Sequence, residues 1–357
     1  MNFLTHLSLL NFRSHQDIEL LFQQRITGII GKNGAGKTNI LDAIYHLCFC
    51  KSFLNTIDSQ NINHLEAFYL IKGTFNIPDD TAHVTCSFTK NKGKIVKYDN
   101  IEYDKLVEHI GKFSCVIISP LDTNFINEGS EERRKFMDTT ISQYNKTYLQ
   151  HLIHYNHTLK QRNALLKQKL GTWGNLEPYN MQLKRYGTYI HQERKIMIEK
   201  FNLLFQTIYN QIATNAETVE LTYKSPFVTE TNWEDLWKQN HQKDVINQIT
   251  TIGIHKEDLV GYLQSFPVKK YASQGQQKSF LIALKLAQYQ WLSQFLHQKP
   301  ILLLDDLFDK LDDTRTQNIM NLINLYNYPQ VIITDTQKIR LENILQRTNI
   351  DYSILDL

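Results

Sequence analysis

Residues Gly31-Lys32-Asn33-Gly34-Ala35-Gly36-Lys37-Thr38 carry the strongest chemical signal in the chain. They match the spacing of a glycine, four residues and then Gly-Lys-Ser/Thr, which cradles nucleotide phosphates. The glycines let backbone N–H groups converge on phosphate oxygens, and the N-terminus of a following helix adds partial positive charge. Lys37 reaches the β- and γ-phosphates, Thr38 offers an oxygen where Mg²⁺ needs one, and Asn39 completes the ATP-binding stretch. A second signal is "ILLLDD": four apolar residues and two carboxylates describe a buried parallel strand whose C-terminal edge presents Asp305 and Asp306. Beside a phosphate loop, Asp305 is the natural second Mg²⁺ partner, and Asp306 is placed to orient or deprotonate an attacking water. The third is the polar knot Ser273-Gln274-Gly275-Gln276, which opens onto an amphipathic run. On its own it reads equally as a helix N-cap at Ser273 or as a second anion-binding cap.

These residues need elements to hold them. Ile26–Ile30 reads as a strand entering the glycine loop, and Ile40, Leu41, Ile44 and Leu47 mark the apolar face of the helix leaving it. Residues 68–98 alternate in short runs and predict an antiparallel meander. "FSCVIISP", ended by Pro120, predicts a buried strand, as does "QVIITDT" with Thr334, Asp335 and Thr336 at its polar end. From Glu131 to about Ile212 the pattern is helical, N-capped by Ser130 and broken at "GTWGNLEP". The predicted fold class is therefore α/β: a phosphate-loop head with a mixed sheet and an antiparallel meander, carrying an inserted α-helical hairpin lobe. The head spans 1–125 and 250–357, and the insertion 126–249.

At 357 residues with 42% apolar side chains the chain can bury a large core, and its net charge of +3 announces no particular partner. The distribution is more informative, because residues 131–200 hold thirteen Lys/Arg against six Asp/Glu. Arg133, Arg134, Lys135, Lys160, Arg162, Lys167 and Lys169 are candidates for a ridge that tracks a phosphate backbone, or for an ordinary solvated helix face. No stretch approaches the length of a membrane span and no cleavable leader opens the chain, so a cytoplasmic location is expected. Cys48, Cys50, Cys86 and Cys115 show neither metal nor disulfide spacing and read as buried free thiols.

The order of glycine loop, Ser-x-Gly-Gln turn and Asp-Asp strand resembles the ATP-binding-cassette ATPases. That resemblance implies that Ser273, Gln274, Gly275 and Gln276 act in trans, on the ATP held by a partner chain's glycine loop. About 235 residues separate Lys37 from Ser273, room for a short hairpin but not for the long coiled coils of SMC proteins. Over essentially its whole length the chain is similar to the bacterial RecF recombination mediators. The carriers are "LNFRSH", "GKNGAGKTNILDAIY", "ISPLDTNFINEGSEERRKFMD", "YNHTLKQRNALLK", "GIHKEDL", "SQGQQKSFLIALKLAQ" and "LLLDDLFDKLD". Three departures stand out. The family's Gly-Pro-His-Arg-Asp-Asp-Leu is here Gly253 to Leu259 without the proline. Its Glu-Leu-Asp is Lys310-Leu311-Asp312, leaving Asp312 as the cross-interface loop residue. No Q-loop glutamine is evident, and the segment around Pro120 and Asp122 takes its place.

The resemblance implies an ATP- and Mg²⁺-dependent DNA-binding ATPase of recombinational gap repair, DNA replication and the SOS response. It implies weak, DNA-dependent hydrolysis used as a switch, and an ATP-driven homodimer on duplex DNA at single-strand/double-strand junctions, where RecO and RecR help to load recombinase. It further implies that Arg13 reaches ribose or phosphate. A transporter-type ATPase subunit and an SMC-like head are the competing readings. The basic hairpin argues against the first, and the lack of long coiled coils against the second.

Overall fold

The computed structural model describes residues 3–78, 80–213, 217–227, 233–308, 311–348 and 350–357. In chain order β1 (Phe3–Phe12) and β2 (His15–Leu21) form a hairpin, followed by β3 (Ile26–Ile30) and α1 (Lys37–Phe49). Next come β4 (Phe68–Ile77), β5 (Asp80–Thr89), β6 (Gly93–Tyr98), β7 (Ile101–Glu102) and β8 (Cys115–Ile118). The helices α2 (Thr123–Asn127), α3 (Ser130–Tyr144), α4 (Lys146–Lys167) and α5 (Trp173–Ile212) follow. Then come β9 (Val219–Lys224), α6 (Trp233–Asn247), β10 (Asp258–Leu263), β11 (Phe266–Pro267), α7 (Val268–Tyr271) and α8 (Gln274–Phe295). The chain closes with β12 (Ile301–Leu304), α9 (Asp313–Leu325), β13 (Val331–Asp335), α10 (Lys338–Gln346) and β14 (Tyr352–Asp356). Among the described residues no helix is long and apolar enough to cross a membrane.

The first of two compact units comprises 1–122, 208–216 and 278–357. It holds a five-stranded parallel sheet in the order β14-β3-β13-β12-β8 and a six-stranded antiparallel sheet in the order β2-β1-β4-β5-β6-β7. The meander and the parallel strands thus occupy separate sheets, within the expected α/β class. Every residue of β3, β8, β12 and β13 is buried, which is why β8 and β12 read as unbroken apolar runs and β3 and β13 as mainly apolar ones. Their register pairs Leu304 with Ile118 and Ile333, and Ile30 with Asp335, so the C-terminal ends that carry the polar residues finish level. Ile40, Leu41, Ile44 and Leu47 of α1 join Leu7, Ile71 and Val84 of one sheet and Ile29, Leu303 and Ile332 of the other in a single core cluster. All four cysteines are free and buried. The Cys48 thiol, hydrogen-bonded to Cys115, and the Cys86 thiol, hydrogen-bonded to Cys50, are pushed up by those contacts and by burial, away from thiolate chemistry.

The second unit comprises 123–207 and 217–277. The expected limit at 249/250 therefore falls inside it, because β10 pairs with β9 and β11 in a three-stranded sheet that the sequence reading did not foresee. Helix α3 is capped by Gly129 rather than Ser130, whose hydroxyl accepts instead from Arg134. The break between the hairpin helices is confined to 168–172, and Pro178 lies inside α5. A buried polar network ties α3 and α5 to the segment before β10. Arg194 donates to Glu257 Oε2 and Asp138 Oδ1, each at 2.7 Å, and His191 Nδ1 lies 2.7 Å from Glu257 Oε1. Burial alone would raise the Glu257 carboxyl; hydrogen bonding to His191 and the Arg194 charge bring it below the usual range. The turn that lacks the family's proline is a 3₁₀ helix, Ile254–Lys256, with Ile254 fully packed.

Candidate nucleotide site

The glycine loop runs from the end of β3 to the start of α1. Gly34 and Gly36 have φ of 84° and 93°, the left-handed region open to glycine. At Gly36 a Cβ would lie 2.4 Å from His15 Nε2 and 2.6 Å from Ser14 Oγ, whereas at Gly34 it would meet nothing. The tip of the β1–β2 hairpin is thus part of the loop's wall: His15 Nε2 lies 3.1 Å from Gly36 O, and Asn39 Nδ2 donates to Ser14 Oγ at 2.7 Å. Neither Ser14 nor His15 was singled out as a site residue, although both lie in "LNFRSH". Gly36→Ala should therefore lose more than Gly34→Ala: both incur left-handed strain of about 1–2 kcal/mol, but only the first displaces Ser14 and His15. Thermal melting and ATP affinity of the two variants check this, and equal losses would contradict it.

Lys37 is buried and its Nζ donates to Gly31 O at 2.9 Å and Lys32 O at 3.2 Å, which holds the ammonium across the loop. Lys32, Asn33 and Gly34 are exposed, and the α1 N-terminus has no acidic residue in its first turn to compete for its N–H groups. Thr38 Oγ1 donates to both carboxylate oxygens of Asp305 at 3.0 Å, and Thr334 Oγ1 donates to Asp305 Oδ1 at 2.8 Å. Burial pushes the Asp305 carboxyl up, hydrogen bonds from Thr334 and Thr38 pull it down, and Asp306 raises it again. Asp306 sits in the left-handed region at φ 44°, fixed by its N–H on Thr334 Oγ1 at 3.0 Å. Thr334 thus positions both carboxylates, a role that follows from its place at the polar end of β13.

Arg13, also left-handed at φ 53°, donates through Nε to Asp42 at 2.8 Å and through its Nη2 to Ser52 at 2.9 Å. Asp42 is fully buried on α1, so this pair anchors the β1–β2 hairpin to the loop helix. The segment around Pro120 and Asp122, expected in the place of a Q-loop, is a 3₁₀ helix, Pro120–Asp122, with Asp122 paired to Lys285 at 3.0 Å. Asp312 is exposed and N-caps α9 by accepting from Arg315 N at 2.8 Å, while Lys310 lies outside the described residues.

In the second unit, Ser273 N donates to Gln276 Oε1 at 2.8 Å and Gln276 N donates to Ser273 Oγ at 3.3 Å. This reciprocal pair is a capping box, so the N-cap reading of Ser273 holds, with Gly275 in the first turn of α8 and Gln274 exposed. The expected basic ridge divides. Lys160, Lys167 and Lys169 are exposed. Arg162 is not: it is 0% exposed, ion-paired to the equally buried Asp244 at 2.8 Å and bonded to Asn180 and Thr250. Its reading as a DNA contact is corrected, since a guanidinium consumed by buried partners cannot meet a phosphate. Arg133 is largely committed to Asp258, and Arg134 to Ser130 and the Glu257 carbonyl. Both are corrected in the same sense, as struts of the lobe.

The RecF/RecN/SMC N terminal domain family model matches residues 3–352. A DNA replication and repair protein RecF from Flavobacterium johnsoniae is 44% identical, the match covering 99% of each chain. Its counterpart from Bacteroides thetaiotaomicron is 40% identical over 98% of this chain and 95% of its own. A solved structure of the recombination mediator protein RecF-ATP in the RecFOR pathway superposes with a TM-score of 0.86 at 29% identity, covering 94% of this chain and 92% of that one. The Smc head domain of Pyrococcus furiosus, at 17% identity and a TM-score of 0.56, shares the fold. With the glycine loop, the Asp305–Asp306 strand end and the Ser273 turn all in the places that its sequence marks out, this chain belongs to the RecF family.

Proposed function

We propose that the chain is an ATP-switched DNA-binding protein of recombinational gap repair, working in the cytoplasm as an ATP-dependent homodimer. The observation that carries this is Thr38 Oγ1 lying 3.0 Å from both oxygens of Asp305, across 267 residues of sequence. A hydroxyl and a carboxylate, oxygen donors only, fit Mg²⁺, which prefers few protein ligands and completes its shell with phosphates and water. When bound there, Mg²⁺ neutralises charge on the β- and γ-phosphates. The loop N–H groups and Lys37 bind those phosphates, residues 31–39 enclose them, and Arg13, held by Asp42 and Ser52, braces the hairpin beside the loop instead of reaching ribose or phosphate. Asp306, held by Thr334, orients water and takes its proton. Ser273, Gly275 and the α8 N-terminus cap the nucleotide of a second chain, and Asp312 lies along the same junction.

Hydrolysis resets the dimer slowly and is stimulated by DNA, and RecO and RecR are its partners in loading recombinase. The relatives' names support the role in DNA repair, and the RecFOR pathway of the ATP-bound solved structure supports the partnership. DNA binding with and without ATP, on gapped, blunt and single-stranded substrates, tests it. ATP should raise affinity most where a duplex meets a single strand, and binding that ignores ATP would reject the switch.

Lys160, Lys167 and Lys169, with Lys135 beside its neighbour Glu132 at 3.5 Å, are the candidates left to track the duplex backbone, and the first three carry no acidic partner among the described ion pairs. Replacing all three by Gln should weaken binding alike for all sequences, because backbone contacts carry no base information. The log–log salt dependence should flatten by about 0.9 for each phosphate that the variant no longer neutralises. An unchanged slope would place the DNA elsewhere on the protein.

A further inference from the structure

Immediately before the Ser273 turn the second unit displays two large aromatic rings. Phe266 and Tyr271 are 55% and 66% exposed, and their centroids lie 5.1 Å apart. Phe266 pairs with Leu263 across the tight turn at Gln264 and Ser265, both left-handed, while Leu263 and Val268 are buried. The segment is tied down: Ala272 N donates to Val268 O at 3.2 Å, and Gln277 Nε2 donates to Ala272 O at 3.1 Å. The capping box then fixes Ser273 on α8. The rings and the Ser273 turn thus lie on one short, tied-down segment, of the kind that binds with little ordering cost.

We infer that Phe266 and Tyr271 form an aromatic contact of the ATP-bound dimer, and that their partner is a second copy of this chain. This rests on the trans role of Ser273 proposed above. Tyr271 is two residues from Ser273, so their Cα atoms lie within about 7 Å, and a chain that docks on the Ser273 turn comes within reach of the ring. Aromatic rings are enriched where protein surfaces are covered by protein. In a two-fold dimer the contact occurs twice.

The test uses the full chain carrying Asp306→Asn, so that ATP persists. Dimerisation with ATP is followed by light scattering, with and without Phe266→Ala and Tyr271→Ala together. The double variant should raise the dimer dissociation constant at least about tenfold, as central aromatic contacts do, and leave ATP affinity of the monomer unchanged. Unchanged dimerisation would overturn the inference while sparing the proposed function. A variant that dimerises normally but loses single-stranded DNA would also overturn it, assigning the rings to nucleobases. Should the parent chain fail to dimerise with ATP, the proposed function falls and takes this inference with it. Hydroxyl-radical footprinting of the unaltered rings is independent of folding effects: both should be protected in the dimer, and full reactivity in a demonstrated dimer overturns the contact.

Discussion

Asp306→Asn is expected to bind ATP normally and to hydrolyse it about 10²–10⁴-fold more slowly, the usual cost of removing a general base. The substitution is clean for a structural reason. Asp306 sits at φ 44°, a left-handed conformation that Asp and Asn share more readily than other side chains. Its backbone N–H is held by Thr334 whatever the side chain is. Asn keeps an acceptor oxygen for water but cannot take its proton. Asp305, which faces Thr38, is untouched, so nucleotide affinity should persist. Single-turnover hydrolysis and light scattering together should reveal a slow enzyme locked as a dimer. Normal turnover would remove Asp306 from the chemistry.

The second large effect is on stability. Arg162→Ala should cost about 3–5 kcal/mol, because it leaves a buried carboxylate without its cation. Asp244 is 0% exposed, and besides Arg162 it holds the Thr251 N–H at 2.8 Å, so it cannot turn to water without unravelling the start of the segment before β10. Asn180 and Thr250 lose a partner at the same time. Lys160→Ala, two residues away and exposed, should stay within about 0.5 kcal/mol. Denaturant melts of the two variants, with Asp244→Ala added to the first to test for partial recovery, decide the matter. A loss at Arg162 as small as that at Lys160 would contradict the buried pair.

The contrast between these neighbours shows what a sequence can and cannot carry. The glycine loop, the Asp305–Asp306 strand and the hairpin were legible because each is contiguous and obeys a local period or spacing. Four of the five parallel strands, β3, β8, β12 and β13, were legible as mainly apolar runs, whereas β14, only half-buried and carrying Ser353 and Asp356, was not. Arg162 was misread because its partner lies 82 residues away on α6, and a basic residue on an amphipathic helix looks alike whether it meets water or a buried acid. Thr334 and His15 gained their roles only through the sheet register and the hairpin tip that bring them to the loop. The three-stranded sheet of β9, β10 and β11 escaped notice because β9 and β10 are separated in sequence by a helix and β11 has only two residues.

The trans action of Ser273 is tested most directly by mixing two inactive chains. Ser273→Arg gives up the capping box, a loss of about 0.5–2 kcal/mol, but leaves its own glycine loop intact, and the long side chain obstructs the nucleotide of the facing chain. Lys37→Met damages its own loop and keeps a working turn. Each alone should hydrolyse ATP poorly. A heterodimer pairs one intact loop with one intact turn, so the mixture should regain part of the activity, and activity per chain should rise with concentration through the dimerisation constant. A mixture in which heterodimers are demonstrated and activity stays at the sum of the two separate variants would contradict a turn that serves the partner's ATP.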